Sequence, residues 1–240
     1  MKIITIEGLK GTGKSFICNN ISKNYSVKIA GKFSKGKAVF PDFILEFKEK
    51  YNNLFNDIDS SLGLGFYANF FHELESQNEK FILFNRGLLS LPYFGYYGYF
   101  HNKEKIDFCT YEKILMELYE LVLEKYKKFE SSSIFIIIEC SDDTIKTRLA
   151  KREIAIPSDI FFLDNLDLYK MAKIKFEDKA MKILTNSIFI YLQNENLNIN
   201  KILEYFYSIF ISTKPLPIPS SFQFNLEFSK YSKKSFIYSL

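Results

Sequence analysis

The strongest constraint on this chain is a glycine-rich segment that follows its first apolar run. Residues 3–6 are mostly apolar, and residues 8–15 then read G-L-K-G-T-G-K-S, the spacing G-x-x-x-x-G-K-S. Apolar residues at helical spacing come next. Glycines in such a strand–loop–helix unit let backbone N–H groups turn inward around phosphate oxygens, and the helix N-terminus adds the positive end of its dipole. The segment therefore predicts a loop that binds a nucleoside triphosphate.

Within this loop the residue types predict separate tasks. Lys14 is placed to reach the terminal phosphates, and the Ser15 hydroxyl is placed to hold Mg²⁺. ATP and Mg²⁺ are therefore the expected cofactors. The residues predicted to contact the nucleotide are Gly8, Lys10, Gly11, Thr12, Gly13, Lys14, Ser15 and Phe16.

Length and composition favour one α/β domain. The chain has 240 residues, and 47% of them are hydrophobic, which is enough for a buried core. No apolar run approaches the roughly 18 residues of a membrane span, so we expect a cytoplasmic protein without a membrane partner. Three widely spaced cysteines and two histidines make a zinc site or a Ser-His-Asp triad unexpected.

Arginine is scarce in this lysine-rich chain. Lys and Arg together number 32, and only Arg86, Arg148 and Arg152 are arginines. A guanidinium offers a planar, bidentate donor that an ammonium cannot replace. We therefore expect the three arginines to lie near phosphates.

The hydrophobic pattern alternates between strands and helices. Strands are predicted at 3–7, 26–30, 81–84, 133–138 and 188–191, and helices at 14–24, 42–55, 61–77, 111–129, 142–152, 166–184 and 199–211. This order predicts an α/β fold of the P-loop NTPase type, with a central parallel sheet covered by helices on both faces. It also predicts a P-loop domain over residues 1–212 and a C-terminal extension over 213–240.

The extension is basic and aromatic, with three prolines near its start. Such a segment can bind nucleic acid, or it can add an edge strand or form a homodimer contact. A structural role is the favoured interpretation. The aromatic stretch 92–100 is equally open: it can line an acceptor pocket, stack on single-stranded nucleic acid or pack as a loop against the extension.

Over about residues 1–210 the chain resembles thymidylate kinase and its nucleoside-kinase relatives. Residues 6–15 are similar to the family's F-E-G-L-D-G-A-G-K-S, and 81–90, FILFNRGLLS, look like its D-R-x-x-x-S at a strand end. Residues 138–152 look like L-D-V-x-P-E followed by the R-x-x-x-R of a mobile lid, and 66–69, FYAN, resemble the helix segment that stacks on thymine. The resemblance implies transfer of the γ-phosphoryl group of ATP to a nucleotide or nucleoside, under a basic lid at about 148–160.

The resemblance also implies roles for single residues. Arg86 would clamp donor and acceptor phosphates, while Arg148 and Arg152, four positions apart on one helix face, would neutralise charge in the transition state. With Lys14 these arginines form the predicted catalytic set. The residues predicted to contact the acceptor are Phe66, Asn69, Asn85, Arg86 and Tyr93.

Several positions depart from the family pattern. The loop aspartate is Lys10, and the aspartate beside the clamping arginine is Asn85, so Glu7 or Glu139 would have to supply a carboxylate. An arginine that grips the monophosphate is replaced by Phe70. These departures leave two alternatives open: a kinase acting on a base or sugar hydroxyl in a polynucleotide, and a non-catalytic nucleotide-binding module.

Two aspartates just beyond the lid, Asp159 and Asp164, have two interpretations. They sit roughly where the family keeps acidic residues, and they can instead cap the helix that follows.

Overall fold

A computed structural model describes residues 1–25, 27–30, 39–51, 62–76, 79–102, 106–152, 156–195, 200, 203–204, 206 and 235–239. Among these residues, six strands form one sheet in the order β2-β3-β1-β4-β5-β6, and all neighbouring pairs are parallel. The strands are β1 (Lys2–Glu7), β2 (Ile29–Ala30), β3 (Phe81–Asn85), β4 (Ser133–Glu139), β5 (Ile188–Gln193) and β6 (Ser235–Ser239).

Eight described helices surround this sheet. They are α1 (Lys14–Tyr25), α2 (Asp42–Lys50), α3 (Leu64–Ser76), α4 (Leu91–Asn102), α5 (Phe108–Tyr126), α6 (Asp142–Ala150), α7 (Pro157–Asp164) and α8 (Leu166–Ile183). A 3₁₀ turn, Lys127–Ser132, joins α5 to β4. In the described part of the chain, no helix has both the length and the apolar character needed to cross a membrane.

The sheet is buried on both faces because its strands are apolar at nearly every position. On one face, Ile4 and Ile6 of β1 pack with Ile17 and Ile21 of α1. On the other face, Ile3 belongs to a larger cluster formed with α2, α3, α4, α5 and α8. Successive strand residues point to opposite faces, so a continuous apolar run requires cover on both. The α/β fold with helices on both faces is thereby confirmed.

The strand register brings the predicted site to one edge of the sheet. Ile6 of β1 lies opposite Asn85 of β3, and Glu7 lies opposite Ile137 of β4. The carboxyl ends of these three strands therefore meet where the glycine loop begins. In open α/β sheets this edge is where ligands bind.

The predicted order of elements omits two helices, α4 and α7. α4 buries Leu91, Tyr93, Tyr96 and Tyr99 and contains two glycines, so it shows no polar face from which a helical period can be read. α7 is only eight residues long and begins at Pro157, a residue that suits the first helical position because its missing N–H would have no partner there.

Other boundaries shift by a few residues. α2 ends at Lys50, and the rest of the predicted helix 42–55 lies largely outside the described residues. Of the predicted helix 199–211, positions 200, 203–204 and 206 are described and helical.

The C-terminal extension contributes one described element, β6, which pairs in parallel with β5 at the sheet edge. The domain boundary at residue 212 lies outside the described residues. That boundary, the nucleic-acid contact and the homodimer remain predictions.

Candidate active site

The glycine loop adopts a backbone that only glycine enters freely. Gly8, Gly11 and Gly13 have φ values of +129°, +80° and +96°. A Cβ at Gly8 would lie 2.3 Å from the carbonyl oxygen of Ile138. Glycine is therefore required there twice, for the positive φ and for the close passage of the loop over β4. The loop is shaped as a nest of N–H groups, which suits an anion.

Lys14, the first residue of α1, lies buried under this loop. Its ammonium donates to the carbonyl oxygen of Leu9 and lies 3.4 Å from the Thr12 hydroxyl. Burial and the positive charge of Arg86 hold its pKa well below the usual lysine range, and Glu7 opposes that shift. A phosphate beside Lys14 would stabilise the charged form of this buried ammonium, because its negative charge offsets the cost of desolvation.

Glu7, at the end of β1, is fully buried and holds the segment that follows β3. Its carboxylate accepts hydrogen bonds from the Ser90 hydroxyl, the Leu89 N–H at 3.3 Å and the Gly87 backbone. A Cβ at Gly87 would lie 2.9 Å from the carboxylate, so glycine is needed for this approach. Burial raises the pKa of Glu7. The carboxylate therefore positions the turn that carries Arg86.

Arg86 begins that turn in a strained conformation. Its φ of +78° is unusual for a non-glycine residue, and its N–H donates to Ile6 O at 3.0 Å. The guanidinium stacks over the Phe94 ring at 4.2 Å, and burial lowers its pKa. Within the described residues, no carboxylate or carbonyl accepts a hydrogen bond from it. Arg86 is thus a partly buried cation ready to bind an anion.

Asn85 and Ser15 face each other beside the loop. The Asn85 amide Nδ2 donates to the Ser15 hydroxyl at 3.0 Å, while Asn85 Oδ1 is buried and has no hydrogen-bond partner among the described residues. The Ser15 hydroxyl is a hard oxygen ligand, the type that Mg²⁺ prefers, whereas Asn85 presents its amide nitrogen to that hydroxyl. Of these two residues, Ser15 fits a magnesium ion.

Arg148 of α6 has many partners, in contrast to Arg86. Its guanidinium donates to Asn194 O at 2.8 Å and to Glu195 O at 2.9 Å, and lies 3.0 Å from Cys140 Sγ. Longer contacts of 3.4 and 3.5 Å reach the carbonyls of Thr12 and Gly11. The Asn194 amide also donates to Thr12 O at 2.9 Å. Arg148 and Asn194 together tie the glycine loop to the segment after β5.

Arg152 points elsewhere, although it was predicted to share a helix face with Arg148. It is 43% exposed and forms an ion pair with Asp159 in the first turn of α7. Asp159 in turn accepts from Lys10 of the glycine loop. The three arginines therefore lie around the loop, each in a different electrostatic setting.

The residues predicted to contact the acceptor differ in how exposed they are. On α3, Phe66 is 42% exposed and Asn69 is half-buried, whereas Tyr67 is buried and its hydroxyl has no hydrogen-bond partner among the described residues. Tyr93 is buried and packs edge-on against Tyr169, 6.2 Å between ring centroids. The structure thus brings Asn85 and Arg86 to the loop and places the Tyr93 ring in the core.

Glu139, the other carboxylate considered for catalysis, is engaged at the end of β4. It accepts from Lys173 at 2.7 Å and from Gln193 at 2.9 Å. Glu7 and Glu139 therefore both have hydrogen-bond partners within the protein.

Sequence reasoning did not single out Asn194, Ser158 or the pairing of Lys10. Asn194 had a usable signal, because it follows an apolar run predicted as a strand, and polar residues at strand ends lie at the binding edge of such sheets. The contact between Ser158 and Lys10 had no signal in the sequence, because 148 positions separate the two residues.

Comparison with known proteins supports the fold. No protein-family model and no curated protein matches the chain. A deoxyadenosine kinase from M. mycoides, solved with bound dATP, is similar with a TM-score of 0.56 and 22% identity, covering 88% of this chain and 100% of that one. YorR from Bacillus subtilis, solved in complex with phosphorylated GDP, has a TM-score of 0.52 and 12% identity over 87% and 95%. The chain has the P-loop nucleotide and nucleoside kinase-like fold.

Proposed function

We propose that this protein is an ATP- and Mg²⁺-dependent phosphotransferase of the thymidylate kinase-like class, acting on a nucleotide or nucleoside. One observation supports this most strongly. Lys14 is a buried cation whose pKa the positive charge of Arg86 lowers, and Arg86 is a partly buried cation with no hydrogen-bonding anion among the described residues. Neighbouring positive charges of this kind favour an anionic ligand, and a transferring phosphoryl group supplies one.

The donor side follows from the loop. Its N–H groups and Lys14 would hold the β- and γ-phosphates, and Ser15 would hold Mg²⁺. When bound, the ion would neutralise charge on the phosphates. The donor-side part is supported by the glycine conformations and by the burial of Lys14 under the loop.

On the acceptor side, Arg86 would bind the attacking group and the γ-phosphate together, because its fork offers several donors in one plane. Phe66 and Asn69 would contact the acceptor base, and Tyr93 would support Arg86 from the core. Positioning and charge neutralisation supply most of the rate in phosphoryl transfer, so this arrangement needs little covalent chemistry from the protein.

Arg152 would add positive charge from the lid. For Arg148, whose donors are occupied by backbone carbonyls, we propose a supporting role in holding the loop rather than direct contact with the γ-phosphate. A cytoplasmic location, with ready access to ATP and Mg²⁺, is part of the same proposal.

The test is an incubation of the protein with γ-labelled ATP and Mg²⁺ in separate reactions with nucleosides, nucleoside monophosphates and single- and double-stranded oligonucleotides. Label on a nucleoside or monophosphate supports the proposal. Label on oligonucleotides alone selects a polynucleotide kinase instead. ATP binding without transfer to any acceptor contradicts the enzyme proposal and supports a non-catalytic nucleotide-binding module.

The matched control is Lys14→Ala. We expect it to lower kcat/KM by a factor on the order of a thousand, since it removes a charge placed at the transferring phosphate. Transfer that survives this change would come from a contaminating kinase.

A further inference from the structure

Lys10 lies inside the glycine loop, and its ammonium contacts the first turn of α7. It donates to the Ser158 carbonyl oxygen at 2.8 Å, to the Ser158 hydroxyl at 2.8 Å and to Asp159 Oδ1 at 3.1 Å. Three acceptors match the three donors of an ammonium group. The side chain is therefore fully engaged with the first turn of α7.

This contact is shielded from water. The Lys10 and Asp159 side chains are only 12% and 9% exposed. Burial lowers the pKa of Lys10, and the hydrogen bond and charge of Asp159 oppose that shift. Removing one member of such a pair leaves the other charge buried without compensation, which makes the pair strongly interdependent.

Asp159 is also the partner of Arg152, so one carboxylate joins two cations from different segments. The charge of Asp159 thus offsets repulsion between Lys10 and Arg152. Without that offset, the partly exposed side chain of Arg152 would be driven outward.

We propose that Lys10 and Asp159 form a strap that ties the glycine loop to α7, and that Asp159 is a positioning residue that holds Arg152 toward the phosphates. The kinetic part of this inference rests on the proposed phosphotransferase function. The strap is independent of that function, because it consists of contacts within the protein itself.

The strap is tested first without any ligand. The free energy of unfolding in urea is measured for the wild type, Lys10→Met, Asp159→Asn and the double variant. We expect a coupling between the two changes of about tenfold in the unfolding equilibrium constant, because the pair is close and largely buried. Changes that add independently would overturn the strap.

A matched control uses an ion pair outside the site. Lys170 of α8 lies 2.7 Å from Asp142 of α6, and both side chains are more exposed than those of the strap. We expect Asp142→Asn to change the unfolding equilibrium constant by less than about threefold, as exposed pairs contribute little. A loss from Asp142→Asn as large as that from Asp159→Asn would contradict a special role for the strap.

The positioning role is tested by kinetics. We expect Asp159→Asn to lower kcat about tenfold with a smaller change in KM for ATP, because Lys14 and the loop amides still bind the nucleotide. Arg152→Met combined with Asp159→Asn should be no slower than Arg152→Met alone, and Asp159→Glu should recover part of kcat. Independent, multiplying losses would show that Asp159 does not act through Arg152.

The two proposals fail in different ways. A wild-type protein that transfers no phosphoryl group contradicts the proposed function, while the urea measurements still decide whether the strap exists. A wild type that is active but shows no coupling between Lys10 and Asp159 contradicts the strap alone.

Discussion

Arg86 and Arg148 lie on opposite sides of one glycine loop and differ in what surrounds them. The Arg148 guanidinium donates to two carbonyl oxygens after β5 and reaches two more in the loop. The Arg86 guanidinium rests on the face of Phe94 and has no such acceptor in the described part of the chain. Together with Arg152 they are the only arginines among the 32 lysine and arginine residues of the chain.

The difference indicates that the two arginines have different roles. A guanidinium whose donors are satisfied by backbone oxygens contributes to stability, because removing it would leave several acceptors without a partner. A partly buried guanidinium without an acceptor contributes nothing comparable and instead favours an anionic ligand. Arg148 should therefore matter most for folding, and Arg86 most for chemistry.

The largest expected effect comes from Arg86→Lys. We expect kcat/KM for phosphoryl transfer to fall by about 10²–10³-fold, because an ammonium cannot reproduce the planar fork that binds two phosphates. The free energy of unfolding of the ligand-free protein should stay within about 0.5 kcal/mol, since no protein hydrogen bond is lost. Steady-state kinetics and urea unfolding of the same preparation check both values.

Lysine is the informative substitution at this position because it keeps the charge and the strained backbone of Arg86. Unchanged activity together with lost stability would reverse the assignment of the two arginines.

A smaller effect is expected from Arg148→Met, on stability. Loss of the donors to Asn194 and Glu195 should lower the free energy of unfolding by about 2 kcal/mol, measured in urea. kcat should fall less than in Arg86→Lys, and KM for ATP should rise because the loop is less well held. If kcat instead collapses with stability intact, Arg148 contacts the transferring phosphate directly, as the family resemblance implies.

The next effect concerns Glu177, a buried acid in helix α8. Glu177 is ion-paired with Lys173, 3.0 Å between Oε2 and Nζ, and burial raises the pKa of Glu177 to about 7. The pKa of Glu177 is lower in the unfolded chain. At a pH between the two pKa values, unfolding therefore releases a proton. The stability that protonated Glu177 contributes is present at low pH and is lost as pH rises through about 7. The contribution of Glu177 to the free energy of unfolding thus depends on pH even though Lys173 is paired with it.

We therefore expect the free energy of unfolding of the wild type to fall by about 1–2 kcal/mol relative to Glu177→Gln between pH 5 and pH 8. Urea unfolding at a series of pH values measures this difference. Parallel curves for the two proteins would mean that Lys173 keeps Glu177 charged throughout.

The smallest effect is expected from Phe94→Leu. Leucine keeps apolar contact with Arg86 and removes the aromatic face, so kcat/KM should fall only about fivefold, in line with the strength of a cation–π contact. A loss as large as that of Arg86→Lys would show that Phe94 does more than orient the guanidinium, and steady-state kinetics distinguishes the two outcomes.

Much of the fold could be predicted because its signals are local. The glycine loop, α1 and the strands β1, β3, β4 and β5 follow from residue spacing over short segments, and the structure has them at nearly the predicted bounds. β2 is shorter than predicted, Ile29–Ala30 instead of 26–30. α4 could not be predicted in the same way, because Tyr93, Tyr96 and Tyr99 give it no polar face.

In the candidate site, too, the features with local sequence signals could be predicted and the contacts between distant segments could not. Lys14, Ser15, Asn85 and Arg86 were predicted from motifs, and the parallel register brings them together at one sheet edge. The partners of Arg148 and Arg152 were not, because α6 ends at Ala150, so Arg152 lies beyond the helix and contacts a different neighbour.

The sequence by itself determined that this chain has a phosphate-binding loop at the end of its first strand, because that loop depends on consecutive residues. Only the tertiary structure decided what Lys10 does there. Its partners, Ser158 and Asp159, are 148 and 149 positions away. No local pattern carries such a pairing, since it exists only after α7 packs beside the loop.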